Sequence, residues 1–129
     1  DPRYLQALAV HLTHREASRR EGVRLLDSLT QRGVASPEAR QAWRQALLSL
    51  SPRQGDDKLF ASYLARYTDV DVAARARKLG YPCVILAVNK RNTKAIGSYK
   101  KYGFVVREAI VDDIGHGFVM DDYVMEKKL

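Results

Sequence analysis

CVILAVNKRNTKAIGSYKKYGF, residues 83–104, decides how this chain is read. Cys83 to Val88 is an unbroken apolar run rich in β-branched residues, the pattern of a short strand buried on both faces. Asn92 follows, a favoured residue for opening a helix, and the helix is expected to reach about Tyr102. Ala95, Tyr99 and Tyr102 are among its inward candidates, and Gly103 ends it. Beyond this stretch, Phe104 to Val111 and Phe118 to Glu126 read as two strands. Ile114-Gly115-His116-Gly117 lies between them as a glycine-containing hairpin loop.

Upstream the period changes from strand to helix. Apolar residues recur at mostly i, i+3, i+4, i+7 spacing, the mark of one buried helical face. Leu5, Leu8 and Leu12 mark a first helix; Gly22, Leu25, Leu26 and Leu29 a second, stopped by Gly33. Trp43, Ala46, Leu47 and Leu50 mark a third, and Phe60, Tyr63, Leu64 and Tyr67 a fourth. Val72, Ala73, Ala76 and Leu79 suggest a fifth, before Gly80. Ser36-Pro37 supplies a cap followed by proline at the first helical position. Ser51-Pro52 with Gly55 separates the third helix from the fourth, and Thr68 or Asp69 can cap the fifth. Helices one, three and five start near Tyr4, Pro37 and Val70, about 33 residues apart, close to the period of stacked helical hairpins.

Composition breaks near Lys78. The first 78 residues hold 12 Arg and 2 Lys but no Ile, Asn or Met; the rest hold 2 Arg and 6 Lys, with four Ile, two Asn and two Met. One evolved domain rarely switches its basic and aliphatic residues at a point, so two segments of different origin are expected, 1–78 and 79–129, joined within 72–80. The net charge of +7 is spread as single Arg residues among acids, which suits a solvated helical face better than a nucleic-acid interface. No run of about 18 apolar residues proposes a membrane span. The opening Asp-Pro-Arg reads as an excised fragment with no signal peptide. Cys83 is the only cysteine, which excludes an internal disulfide.

Each segment resembles a different family. LAVHLTHREASRREGVRLLDSL, AWRQALLSL and LFASYLARYTDVDVAARARKL, within residues 4–79, resemble the tetratricopeptide-like region of the scaffold subunit of bacterial cellulose synthase. That resemblance implies contact with protein or glucan, no catalysis, and a bacterial periplasmic setting. LAVNKRNTKAIGSYKKYGF and DDIGHGFVMDDYVMEKKL, within residues 76–129, resemble the C-terminal half of GNAT-superfamily N-acetyltransferases. The match is Asn92, Ala95, Tyr99, Gly103 and Phe104 in an N-x-x-A-x-x-x-Y-x-x-x-G-F pattern. It implies acetyl transfer from acetyl-coenzyme A to an amine, in a cytoplasmic setting. Asn92 would lie near the pantetheine arm. Tyr99 would act as general acid toward the leaving thiolate, a task that suits a phenol of pKa near about 10.

Structural readings stand beside these. Asn92 is a natural helix cap and Tyr99 lies on an apolar helix face. Lys100 and Lys101 complement a helix end; Asp112-Asp113 and Asp121-Asp122 read as solvated strand ends, and His116 as a loop tip. His11 and His14 have ligand-like spacing but no third ligand, and Trp43, Tyr63 and Tyr67 read as core before sugar platform. A GNAT enzyme also needs a glycine-rich loop whose N–H groups hold pyrophosphate at a helix N-terminus. The corresponding residues here, Ala65 to Asp71, contain no glycine and two aspartates.

The expected fold is therefore α+β: N-terminal helical hairpins of about five helices, then a β-α-β-β unit. The expected molecule is a chimera, natural or engineered, whose acetyltransferase half is inactive alone; a scaffold for cellulose export and a fusion with no selected function are the alternatives. The edge of the 83–88 strand, lacking a neighbour, is expected to drive self-association.

Overall fold

Capping chemistry written in the sequence sets the helix boundaries. The structure, a computed structural model, describes residues 2–33, 36–51 and 56–129, with only the backbone of Ile114. Asp1, Pro52 and Gly55, which entered the reading of the chain start and the third break, lie outside the described residues. Five helices come first: α1 (Pro2–Leu12), α2 (Glu16–Gln31), α3 (Pro37–Ser49), α4 (Asp57–Leu64) and α5 (Val70–Lys78). They are followed by β1 (Cys83–Asn89), α6 (Thr93–Lys101), β2 (Val105–Gly115) and β3 (Phe118–Lys128), an α+β chain. Ser36 Oγ accepts the Ala39 N–H at 3.1 Å, and Asp69 accepts those of Asp71 and Val72, both at 3.2 Å. Asn92 Oδ1 accepts the Ala95 N–H at 3.1 Å. Gly33, Gly80 and Gly103 follow the ends of α2, α5 and α6 with positive φ, the conformation that closes a helix and that glycine adopts without strain.

Contacts divide the chain into two compact units, Asp1–Leu59 and Phe60–Leu129. In the first, α1 packs on α2 and α2 on α3. Its buried core holds Ala9, Val23, Leu26, Leu29, Trp43, Leu47 and Leu50. Gly22 is the closest approach. A Cβ built there would stand 2.8 Å from Ala9 O and 2.9 Å from Thr13 Cγ2, so only hydrogen lets α1 and α2 meet at this depth.

In the second unit the sheet order is β1-β3-β2, with both neighbours antiparallel to β3. Register pairs Leu86 with Met125 and Val88 with Tyr123, so Val84, Val88 and Met125 share a face, and all three are buried. The expectation that Cys83–Val88 is buried on both faces is corrected: Ile85 is 38% exposed and Ala87 is exposed. An antiparallel sheet can leave one face to solvent, and on that face Val105, Phe118 and Met120 are exposed too. β1 is an edge strand.

Two other boundaries differ from expectation. α4 ends at Leu64, so Tyr67 falls beyond it, its ring 5.0 Å from that of Tyr63. β2 runs four residues past Val111, leaving a two-residue turn, His116 and Gly117, with φ of 53° and 79°. Two consecutive positive φ values suit a tight hairpin whose twist matches its strands, so pairing continues up to the turn. On α6 the deepest residue is Ile96, while Ala95, Tyr99 and, just past the helix, Tyr102 are half-buried.

Gly22→Ala tests the close approach. Alanine normally favours a helix by about 1 kcal/mol over glycine. Here overpacking against a backbone carbonyl reverses the sign, for a net loss of about 1–2 kcal/mol. Urea unfolding followed by circular dichroism should show a lowered midpoint with unchanged slope.

Candidate functional site

Two concave sites stand out, one in each unit. The first lies in the helical unit and has a volume of about 650 Å³. Gln41, Gln45 and Ser49 recur every four residues along α3 and line one side, while Thr13, His14 and Arg19 line the α1–α2 side. Gln45 Nε2 donates to Ser49 Oγ at 3.5 Å. Trp43 is 1% exposed, and the described residues lining this groove include no Trp, Tyr or Phe. Tyr63 is likewise core within its own unit, and Tyr67 is half-buried.

Polar contacts fix the walls of this groove. Ser18 Oγ donates to Leu12 O at 2.7 Å and Arg19 Nε to Thr13 O at 3.0 Å, which satisfies carbonyls at the end of α1. Arg19 Nη1 also reaches Ser49 O at 3.2 Å and pairs with Glu16. Beneath lies Arg20, whose guanidinium donates to Asp56 from Nε and Nη2, the latter at 2.8 Å, and to Ser51 O at 2.8 Å. The hydrogen bond to Asp56 holds the Arg20 guanidinium even more firmly protonated than usual. Glu16 accepts from Ser51 Oγ and from Arg20, and the Ser51 hydroxyl, then Arg20 and Arg19, hold its carboxyl below the usual range.

The second site, of about 260 Å³, lies in the β-containing unit. Asn92, Ala95, Ser98 and Tyr99 are spaced to share one face of α6, and all line it, together with Lys94, Ala65 and Arg66. The two residues singled out from the sequence, Asn92 and Tyr99, thus meet in one pocket. Asn92 is also the cap of α6, and the Tyr99 ring packs 6.1 Å from that of Phe104. Lys94 and Ser98 stand at i, i+4 on α6, a spacing visible in the sequence that belongs to no motif read there. Arg66 carries no local signal, because only the fold brings the end of α4 to α6.

The remaining candidates sit elsewhere. At the start of α5 the Asp69 carboxylate already occupies the Asp71 and Val72 N–H groups, and Tyr63 Oη donates to it at 3.0 Å. His11 and His14 rings stand 6.0 Å apart, and among the described residues no cluster of three or more His, Cys, Asp or Glu could hold a metal. Asp121 pairs with Lys90 at 2.5 Å, Asp122 is buried, and Asp112 and Asp113 are exposed near the hairpin end. Lys100 and Lys101 occupy the last turn of α6, and His116 the turn between β2 and β3. Among the described residues no helix is long and apolar enough to cross a membrane.

Part of the chain is similar to a known protein. The chain is 39% identical over 80 residues to cellulose synthase operon protein C of Xanthomonas axonopodis pv. citri (strain 306). The match covers 61% of this chain and only 5% of that protein's length. No protein-family profile matches the chain, and no solved structure matches it significantly.

The Glu16 contacts make the helical unit pH-sensitive. A depressed folded-state pKa means the stabilisation is complete above the unfolded value of about 4.3 and is lost as pH falls through the lower folded value. Glu16→Gln should flatten the acid limb of a stability-versus-pH curve below about pH 4.3, measured by thermal melts, and leave the alkaline limb unchanged.

Proposed function

We propose that this chain is a protein-interaction scaffold of bacterial cellulose biosynthesis, acting through the groove of its helical unit. The single observation that carries this reading is the groove itself, open, about 650 Å³ in volume, and edged by a ladder of amides. A glutamine amide offers both donors and an acceptor, the complement of a peptide group. Sugar grooves rely on stacking against Trp, Tyr or Phe rings, and the described residues lining this groove include none, which favours a polypeptide over a glucan. The similarity to cellulose synthase operon protein C supports the biological setting. In co-purification with components of a bacterial cellulose synthase complex, the full chain should capture a component. Gln41→Ala/Gln45→Ala should weaken that capture about tenfold, the loss of about two hydrogen bonds. Equal capture by the double variant, or cello-oligosaccharide binding with no protein capture, would sink the idea.

A second reading concerns residues 79–129, as the C-terminal half of a GNAT-like acetyltransferase without activity of its own. It is favoured by Asn92 and Tyr99 lining one pocket, on a unit whose strand, helix and hairpin follow the order of that resemblance. Acetyl-coenzyme A binding would need a pyrophosphate site other than the start of α5, whose N–H groups Asp69 engages. Titration calorimetry with acetyl-coenzyme A is expected to show neither tight binding nor turnover of an amine. Measured acetyl transfer would overturn the reading.

A further inference from the structure

The pocket on α6 concentrates positive charge without compensation. Arg66 and Lys94 both line it, and among the described residues no carboxylate does. Some cations of the chain are matched: Arg20 with Asp56, Lys90 with Asp121, Arg107 with Glu126. Among the described residues neither Arg66 nor Lys94 has an ion pair or a side-chain hydrogen bond. The aspartate closest to Arg66 in sequence, Asp69, is engaged by the α5 N-terminus and by Tyr63.

Two hydroxyls complete the donor set. Ser98 stands one turn beyond Lys94 on α6, and Tyr99 one turn beyond Ala95. Cations and hydroxyls together present a guanidinium fork, a point charge and two neutral donors, a combination that suits a tetrahedral dianion. Pockets for drug-sized molecules run from about 300 to 1,000 Å³. At about 260 Å³ this one is smaller than that range and has room for a phosphate group and part of what it is attached to.

We propose that Arg66, Lys94, Ser98 and Tyr99 form a binding site for a phosphate dianion, either free or as a monoester. The site is the same pocket that the second reading uses, but it requires neither an occupied helical groove nor acetyl transfer.

The test is titration of the full chain with inorganic phosphate and with glycerol 3-phosphate, at matched ionic strength, read by ³¹P NMR and calorimetry. Saturable one-to-one binding is expected. Arg66→Gln and Lys94→Met should each weaken it about tenfold, and the pair together should abolish it. Both are surface or half-buried side chains, so circular dichroism should be unchanged. If Arg66→Gln fails to fold, Lys94→Met and Ser98→Ala carry the comparison. Tighter binding of inorganic phosphate identifies the free ion, tighter binding of glycerol 3-phosphate an esterified ligand, and either upholds the site. Binding that never saturates, or that Lys94→Met leaves unchanged, overturns it.

Discussion

A guanidinium withdrawn from water must meet a carboxylate and fill its remaining donors, or the fold around it fails. The Arg20 side chain is about 10% exposed and that of Asp56 about 4%, so their pairing is a condition of the helical unit and not an ornament of its surface. The contacts reach across the chain: Arg20 sits on α2, Asp56 just before α4, and Ser51 just after α3. One side chain therefore ties Ser51, just after α3, and Asp56, just before α4, to α2. Gly22, two residues further along α2, fixes where α1 lies. Between them these residues help set the groove formed by the α1–α2 turn, α2 and α3.

The second unit rests on a different constraint, the two-residue turn at His116 and Gly117. So short a turn makes β2 and β3 antiparallel neighbours. β1 also runs antiparallel to β3, so β1 and β2 run the same way, and α6 supplies the crossover between them. The helix that this topology requires is the one that carries Lys94, Ser98 and Tyr99, with Asn92 as its cap. Its pocket is a consequence of how the strands must be connected.

Much of this is legible without coordinates. The caps at Ser36, Asp69 and Asn92 are readable because an oxygen one or two bonds from the backbone meets N–H groups two or three residues on, within a single turn. The glycines ending α2, α5 and α6 are readable for a similarly local reason. The face burial of β1 is not, because an unbroken apolar run does not reveal whether one layer or two will cover it. Nor is the rank of Ile96, whose branched side chain sits deeper on α6 than its aromatic neighbours.

The sequence by itself determined the elements, their order and the helix ends that caps and glycines mark, though not the ends of α4 and β2, because helix periodicity and capping act over a few residues. Tertiary structure alone decided which charges are neutralised and which are left to face a ligand. Arg20 and Arg66 carry the same guanidinium, and no neighbour in the chain announces their different surroundings. Folding delivers an aspartate from 36 residues away to the first. To the second it delivers a lysine, in a pocket without a carboxylate. Coulomb forces act through space, and spacing along the chain does not encode them.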